Sequence, residues 1–206
     1  MALDSYANLQ ASMAEWLWRT DETNTESYIP DMITMAEAHF NRVLRVDDMD
    51  AVSSSLSVTD GVATMPTGFR EMRSLRLVAN PGCKLTYRPA DYIENLDDDA
   101  TADPQYWTRI GGELHIWPRK TVTLRMRYRT VIPALADDNT SNWLLEKHPD
   151  LYLNGGLAMG EAFNMNDERI GLWKAETARI IAEINSENFL IAEDGLEMPA
   201  STGIAI

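Results

Sequence analysis

Cysteine is nearly missing from this chain. Cys83 stands alone, so neither an intramolecular disulfide framework nor a four-cysteine zinc site can be built. Histidine is scarce as well: His39, His115 and His148 are widely separated, without the i, i+4 spacing of a helical metal pair, and surface or cap roles are expected. Positive charge is short, with 18 Lys and Arg against 32 Asp and Glu and a net charge of −14. That balance argues against a protein that grips nucleic acid through its phosphates, which requires clustered cations. No apolar run approaches the roughly 20 residues that span a bilayer, so no membrane partner is expected. Met1-Ala2-Leu3-Asp4-Ser5 lacks the basic and apolar regions of a secretion signal, and a cytosol-like compartment of synthesis is expected.

The usual signatures of chemistry are also thin. Gly155, Gly156 and Gly160 lie in a helix-like segment and follow no strand, which excludes a dinucleotide or P-loop reading. They fit either close helix packing or the approach of a neighbouring subunit. Asp97-Asp98-Asp99 with Asp103 lacks the alternating ligands, central glycine and terminal glutamate of an EF-hand, and reads as a solvated loop. Cys83 follows Pro81-Gly82 at an expected turn and would need a neighbouring base to act as a nucleophile. No catalytic, cofactor or metal site is expected.

What is present is the composition of a folded protein. Of 206 residues, 45% are hydrophobic and 24% charged, enough for one domain or two small ones sharing a core. Charge comes in blocks. Residues 1–50 hold 10 acids and 3 bases, residues 51–150 hold 13 and 12, and residues 151–206 hold 9 and 3. The two ends resemble each other and the middle differs.

Periodicity divides the chain at the same places. Tyr6, Leu9, Met13, Trp16 and Leu17 recur at helical spacing behind a Ser5 or Asp4 cap. Arg19 to Ser27 reads as a loop. A second helix is expected from Pro30, with Ile33, Ala36, Phe40, Val43 and Leu44 on its inner face. From about residue 51 the period becomes two. Hairpins are expected around Asp60-Gly61, Asn80-Pro81-Gly82 and Gly111-Gly112. A short helix is expected at Ala90–Leu96. In Thr121–Ile132, Val122, Leu124, Met126, Tyr128 and Ile132 share one face, and Arg125, Arg127 and Arg129 share the other. Those arginines suit either a solvated face paired with local acids or contact with an acidic surface, including that of another copy. Helical period returns near Asn142, and Ile170, Trp173, Thr177, Ile180, Ile181 and Ile184 form a late inner face. Beyond Glu187 the pattern fails.

The fold class expected is α+β. Residues 1–50 and 142–188 form a helical bundle, residues 51–141 an inserted antiparallel β-rich domain of sandwich or small-barrel type, and residues 189–206 an extended tail. Each half-bundle alone would leave apolar side chains in water, at a cost of roughly 1.5–3 kcal/mol for each large one.

Several blocks carry a resemblance. They are Tyr6-Ala7-Asn8-Leu9-Gln10, Trp16-Leu17-Trp18-Arg19, the run from Ile29-Pro30-Asp31 through Phe40-Asn41-Arg42 to Arg45, Met65-Pro66-Thr67-Gly68-Phe69, Ile110-Gly111-Gly112-Glu113-Leu114, Tyr128 to Leu135, Asn142-Trp143-Leu144-Leu145 with His148-Pro149-Asp150, and Asp167-Glu168-Arg169 with Trp173. In order over residues 5 to about 185, they resemble the phage head-to-tail adaptor, or connector, proteins of short-tailed phages and prophages. The resemblance implies a non-enzymatic structural protein of the virion, made in the host cytoplasm and placed at the head–tail junction. It implies a ring of copies, typically twelve, beneath the portal protein. Such a ring extends the DNA channel, passes double-stranded DNA without specific binding, and docks nozzle and other tail proteins. C-terminal segments of related adaptors reach the portal, which makes Phe189, Leu190, Ile191, Leu196 and Met198 candidate portal contacts. Arg125, Arg127 and Arg129 are candidate subunit contacts. No cofactor is implied.

Two other classes compete with it. A virion-associated hydrolase of cell-wall polysaccharide needs two carboxylates facing each other in a cleft. A carbohydrate-binding β-domain could use Trp107 and Trp117 as a platform, although cross-strand packing is the ordinary explanation for such residues.

Overall fold

Ser5 caps the first helix, its side chain accepting from the Asn8 N–H at 3.4 Å. The computed structural model describes residues 3–17, 23–93, 95–96, 98–99, 101–163 and 167–194. In chain order these form α1 (Tyr6–Trp16), α2 (Thr23–Val43), β1 (Asp50–Val58), β2 (Val62–Thr64), β3 (Phe69–Leu77), β4 (Thr86–Tyr87), α3 (Ala90–Ile93), β5 (Tyr106–Ile110), β6 (Glu113–Trp117), β7 (Val122–Thr130), α4 (Trp143–Lys147), α5 (Pro149–Phe163) and α6 (Asp167–Asp194). They gather into two units, one from Met1–Asp48 with Ile132–Ile206 and one from Met49–Val131.

In the helical unit, α5 packs against α1, α2, α4 and α6. Leu9 and Met13 of α1, Ile29, Met32, Ile33, Ala36 and Phe40 of α2, Leu151, Tyr152 and Leu157 of α5, and Ile180 and Ile184 of α6 are buried. Two boundaries differ from the sequence expectation. Helix α2 begins at Thr23 and runs through Pro30 instead of starting there, so residues 23–27 are not loop. A proline inside a helix costs about 3 kcal/mol. Burial of Ile29 on one side of it and of Met32 and Ile33 on the other holds both flanks in place. Helix α6 continues to Asp194, so residues 189–194 are helical and not extended. Nothing between Glu187 and Asp194 breaks a helix; Gly195 is the first residue that could.

A buried polar knot ties α2 and α5 to the segment before α4. The Leu135 N–H and the Tyr152 hydroxyl both donate to Glu37 Oε1 at 2.9 Å. Asn142 Nδ2 donates to the Tyr152 oxygen and to the Pro133 carbonyl, each at 2.7 Å. Asn142 Oδ1 also caps α4 through the Leu145 N–H. Burial pushes the Glu37 carboxyl above its usual range, against the two donors that favour its charged form.

The other unit is a sandwich. One sheet has the order β1-β7-β3, all antiparallel, and the second the order β2-β6-β5-β4. Val58, Leu75, Leu77, Leu124 and Met126 from the first sheet meet Ala63, Leu114 and Ile116 from the second in one core, and no barrel closes. The Asp60-Gly61 turn forms, with φ of 49° and 78° and the Thr59–Val62 bridge beneath it. Beyond that bridge its two arms part company, β1 pairing with β7 and β2 with β6. Strands β5 and β6 form the hairpin expected at Gly111-Gly112. The short β4 runs parallel to β5, through Thr86–Tyr106 and Tyr87–Trp107, an exception to the antiparallel rule.

Candidate functional site

The alternation of β7 aims Leu124 and Met126 inward and leaves Thr123, Arg125 and Arg127 exposed. Its neighbours then decide what each arginine meets. Register places Asp50 of β1 and Glu71 of β3 on either side of Arg129. The Arg129 side chain is only 4% exposed, with Nη1 3.0 Å from Glu71 Oε2 and Nε 3.8 Å from Asp50 Oδ1. Asp50 also draws in Arg73 and Arg127, each at 3.5 Å. Arg129 is therefore a buried, ion-paired residue of the sheet, whereas Arg125 and Arg127 are exposed. Strand periodicity alone placed the three together; the acids that separate them come from flanking strands.

One row further, Arg127 lies between Val52 and Ser74. Beyond that, Arg125 lies directly opposite Arg76, and Arg76 is bridged in turn to Lys84. Three cations thus occupy one row across three chain segments. Like charges directly opposite each other on a sheet are destabilising. Among the described residues the only side-chain hydrogen bond in the row is from Arg76 Nη1 to the Pro81 carbonyl, at 2.9 Å. Among the described residues no carboxylate lies within ion-pair distance of Lys84, Arg76 or Arg125. Ser74, Arg76, Arg125 and Arg127 line a hollow of about 240 Å³ here. Sequence reading missed Arg76 and Lys84. Both lie four residues from Asn80, so pairing positions about the Asn80-Pro81-Gly82 turn could have found them.

This basic pole belongs to the unit that carries little net charge. Residues 49–131 hold 10 acids and 11 bases, net +1, while the helical unit holds 22 acids and 7 bases, net −15. The whole acidic surplus of the chain therefore lies in the helical unit.

The remaining candidates disperse. Among the described residues no three His, Cys, Asp or Glu side chains converge where a metal ion could be held. His39 sits in α2, where burial, aided by Arg42, lowers its pKa; His115 lies beside Glu113, and His148 follows α4 as its C-cap. Asp97 is outside the described residues. Asp98 accepts from the Arg119 N–H, Asp99 accepts from Thr101, and Asp103 pairs with Lys120 at 3.0 Å. The acidic loop is used for local ties. Cys83 places its sulfur 3.7 Å from the Pro104 carbonyl. Trp107 pairs with Ile116 and Trp117 with Tyr106, so the two indoles lie on opposite faces of the β5–β6 ladder and share no platform.

The glycines of α5 are taken up within the chain. A Cβ on Gly156 would meet Met13, and one on Gly160 would meet Leu17 and Met32. They allow α1 and α2 to pack closely, which is the first of the two roles the sequence left open. Phe189, Leu190 and Ile191 fall on the backbone of α6, their side chains outside what is described, and Leu196 and Met198 lie outside the described residues. Among the described residues no helix is long and apolar enough to cross a membrane.

No curated protein matches the chain. The family model of the SU10 adaptor protein matches residues 4–198, through both units. The chain belongs to the SU10 adaptor protein family, a family of phage head-to-tail adaptors.

Proposed function

We propose that this chain is a structural, non-enzymatic component of the head–tail junction of a phage virion. Copies of it, twelve in the reading that the family resemblance suggests, close into a ring below the portal. The ring continues the channel for double-stranded DNA and offers its far side to nozzle and other tail proteins. The observation that carries this reading is the division of charge between the two units, net −15 against net +1. An acidic helical wall repels phosphates, so DNA slides past without being held. A ring also needs two different faces on each subunit, one toward each neighbour, and opposite charges on the two units suit such a contact. Phe189, Leu190, Ile191, Leu196 and Met198 are the proposed portal contacts. Cryo-electron microscopy of the purified chain mixed with its portal protein tests the reading. A ring seated on the portal is expected, and persistent absence of any complex overturns it.

A further inference from the structure

Neither family membership nor the proposed ring explains why three cations share a row on an outer sheet face. At one end of that face the arginines have carboxylate partners: Asp50 and Glu71 flank Arg129, with Arg73 and Arg127 also turned toward Asp50. At the other end Lys84, Arg76 and Arg125 lie side by side without a carboxylate among the described residues. Arg76 and Arg125, with Arg127 and Ser74, enclose a hollow open to carboxylate oxygens. Such a row is repulsive in the isolated chain and becomes favourable when an anion enters it.

We infer that this row, Lys84–Arg76–Arg125, is the docking site for carboxylates of the helical unit of a second copy, an inference that rests on the ring reading above. Two observations select that occupant. First, the helical unit is strongly acidic, and in any assembly of copies it is present at one per basic row. Second, the row is bordered on its own face by Asp50 and Glu71. Those acids interrupt the continuous cationic track that a phosphate backbone needs, whereas a few carboxylates at fixed positions fit beside them. The contact is heterologous: the sheet face of one copy meets the helical face of the next, and in the closed ring proposed above every row is saturated.

Lys84 supplies a direct test, because it is the one primary amine in the row. Equal amounts of unlabelled and nitrogen-15-labelled full-length chain are assembled with the portal and treated with a zero-length carbodiimide, which joins amines to carboxylates in contact. Mass spectrometry is expected to find Lys84 joined to an Asp or Glu of residues 1–48 or 132–206 in peptides of mixed isotope origin. A ring in which Lys84 stays uncoupled, couples only within its own copy, or couples to portal or tail carboxylates overturns the docking site and leaves the ring reading standing. Absence of any ring overturns both.

Charge reversal gives a second measure. R76E/R125E is expected to raise the concentration for half-assembly by roughly tenfold or more at low salt, while R76K/R125K assembles as the parent does. Added salt should weaken the parent's assembly, because screening acts within about 10 Å at 0.1 M. R76Q/R125Q relieves the repulsion without adding charge, and separates loss of contact from loss of fold by its circular dichroism and melting temperature. Unchanged assembly of the well-folded glutamate variant overturns the inference, and if that variant alone loses retention of DNA, the row reads nucleic acid instead.

Discussion

Gly155 lies so close to Phe40 that a Cβ added to it would stand 2.5 Å from Cζ of the ring. Phe40 cannot easily retreat: it is fully buried and meets Tyr152 edge-on, with ring centroids 5.5 Å apart. The contact between α2 and α5 is therefore set by a hydrogen atom where other residues carry a methyl group.

Opposite outcomes are expected from one substitution at two helical positions. Gly155→Ala forces Phe40 off its site, and overpacking of this kind costs about 1–3 kcal/mol. Gly171→Ala on α6 meets nothing within 4 Å and should gain about 1 kcal/mol of helix propensity. Thermal unfolding should show a fall of several degrees for the first and a rise for the second. Equal shifts of the same sign would mean that the close approach at Gly155 is not what that glycine provides.

The knot around Glu37 predicts a cost for losing one hydroxyl. Tyr152→Phe keeps the ring against Phe40 but removes the donor to Glu37 Oε1 and the acceptor for Asn142 Nδ2. Leaving buried polar groups short of a partner costs about 1–3 kcal/mol. Amides in the segment leading to α4 should exchange with solvent faster, Leu135 first among them. Unchanged protection at Leu135 and an unchanged melting temperature would mean that Tyr152 serves only as an apolar ring.

A pH experiment isolates the carboxyl itself. Burial raises the pKa of folded Glu37 above its ordinary value of 4.5, so the folded chain holds that proton more tightly than the unfolded one. Its favourable contribution is complete below the unfolded pKa and is lost as pH rises through the folded pKa. Glu37→Gln removes this dependence while keeping an acceptor oxygen for Leu135 and Tyr152. The variant's stability relative to the parent should therefore improve as pH rises from about 4 toward neutrality, then level off. A relative decline over the same interval would show that the two donors outweigh burial.

Much of this architecture could be read from local pattern, and what could not shares a cause. The switch from helical to two-residue period near residue 51, the Asp60-Gly61 and Gly111-Gly112 turns, and the inner face of β7 all depend on neighbours in sequence. The α+β class follows from them. The start of α2 was hidden because Thr23-Asn24-Thr25-Glu26-Ser27 is polar and Pro30 imitates a helix start. The separation of β1 and β2 into different sheets, and the parallel pairing of β4, depend on partners 20 to 79 residues away. The same is true of the site. Arg129 looks like Arg125 along its own strand, and only Asp50 and Glu71, 79 and 58 residues earlier in the sequence, make it an internal charge. The placing of Arg125 opposite Arg76 is likewise a property of register between strands distant in sequence.

That contrast between arginines gives the last prediction. Asp50 faces three guanidinium groups, and its oxygens and Arg129 Nε are buried without a hydrogen bond among the described residues, held by contacts of 3.5–3.8 Å. Neutralising it by Asp50→Asn leaves Arg129 with Glu71 as its partner carboxylate and three cations close together. Breaking a buried pair costs 3–5 kcal/mol, but Arg73 and Arg127 are half-exposed and solvent absorbs part of the loss, so about 2–3 kcal/mol is expected. Arg179 on α6 offers the counterexample: it pairs with Glu176 and Glu183 on an exposed helix face, where such pairs contribute little, and Arg179→Ala should melt with the parent. Hydrogen exchange locates the first effect, since Asp50→Asn should loosen the amides that join β1 to β7. If both variants melt alike, the Asp50 cluster contributes no more than a surface ion pair, and the division of the sheet into an ion-paired end and a cationic end loses its energetic basis.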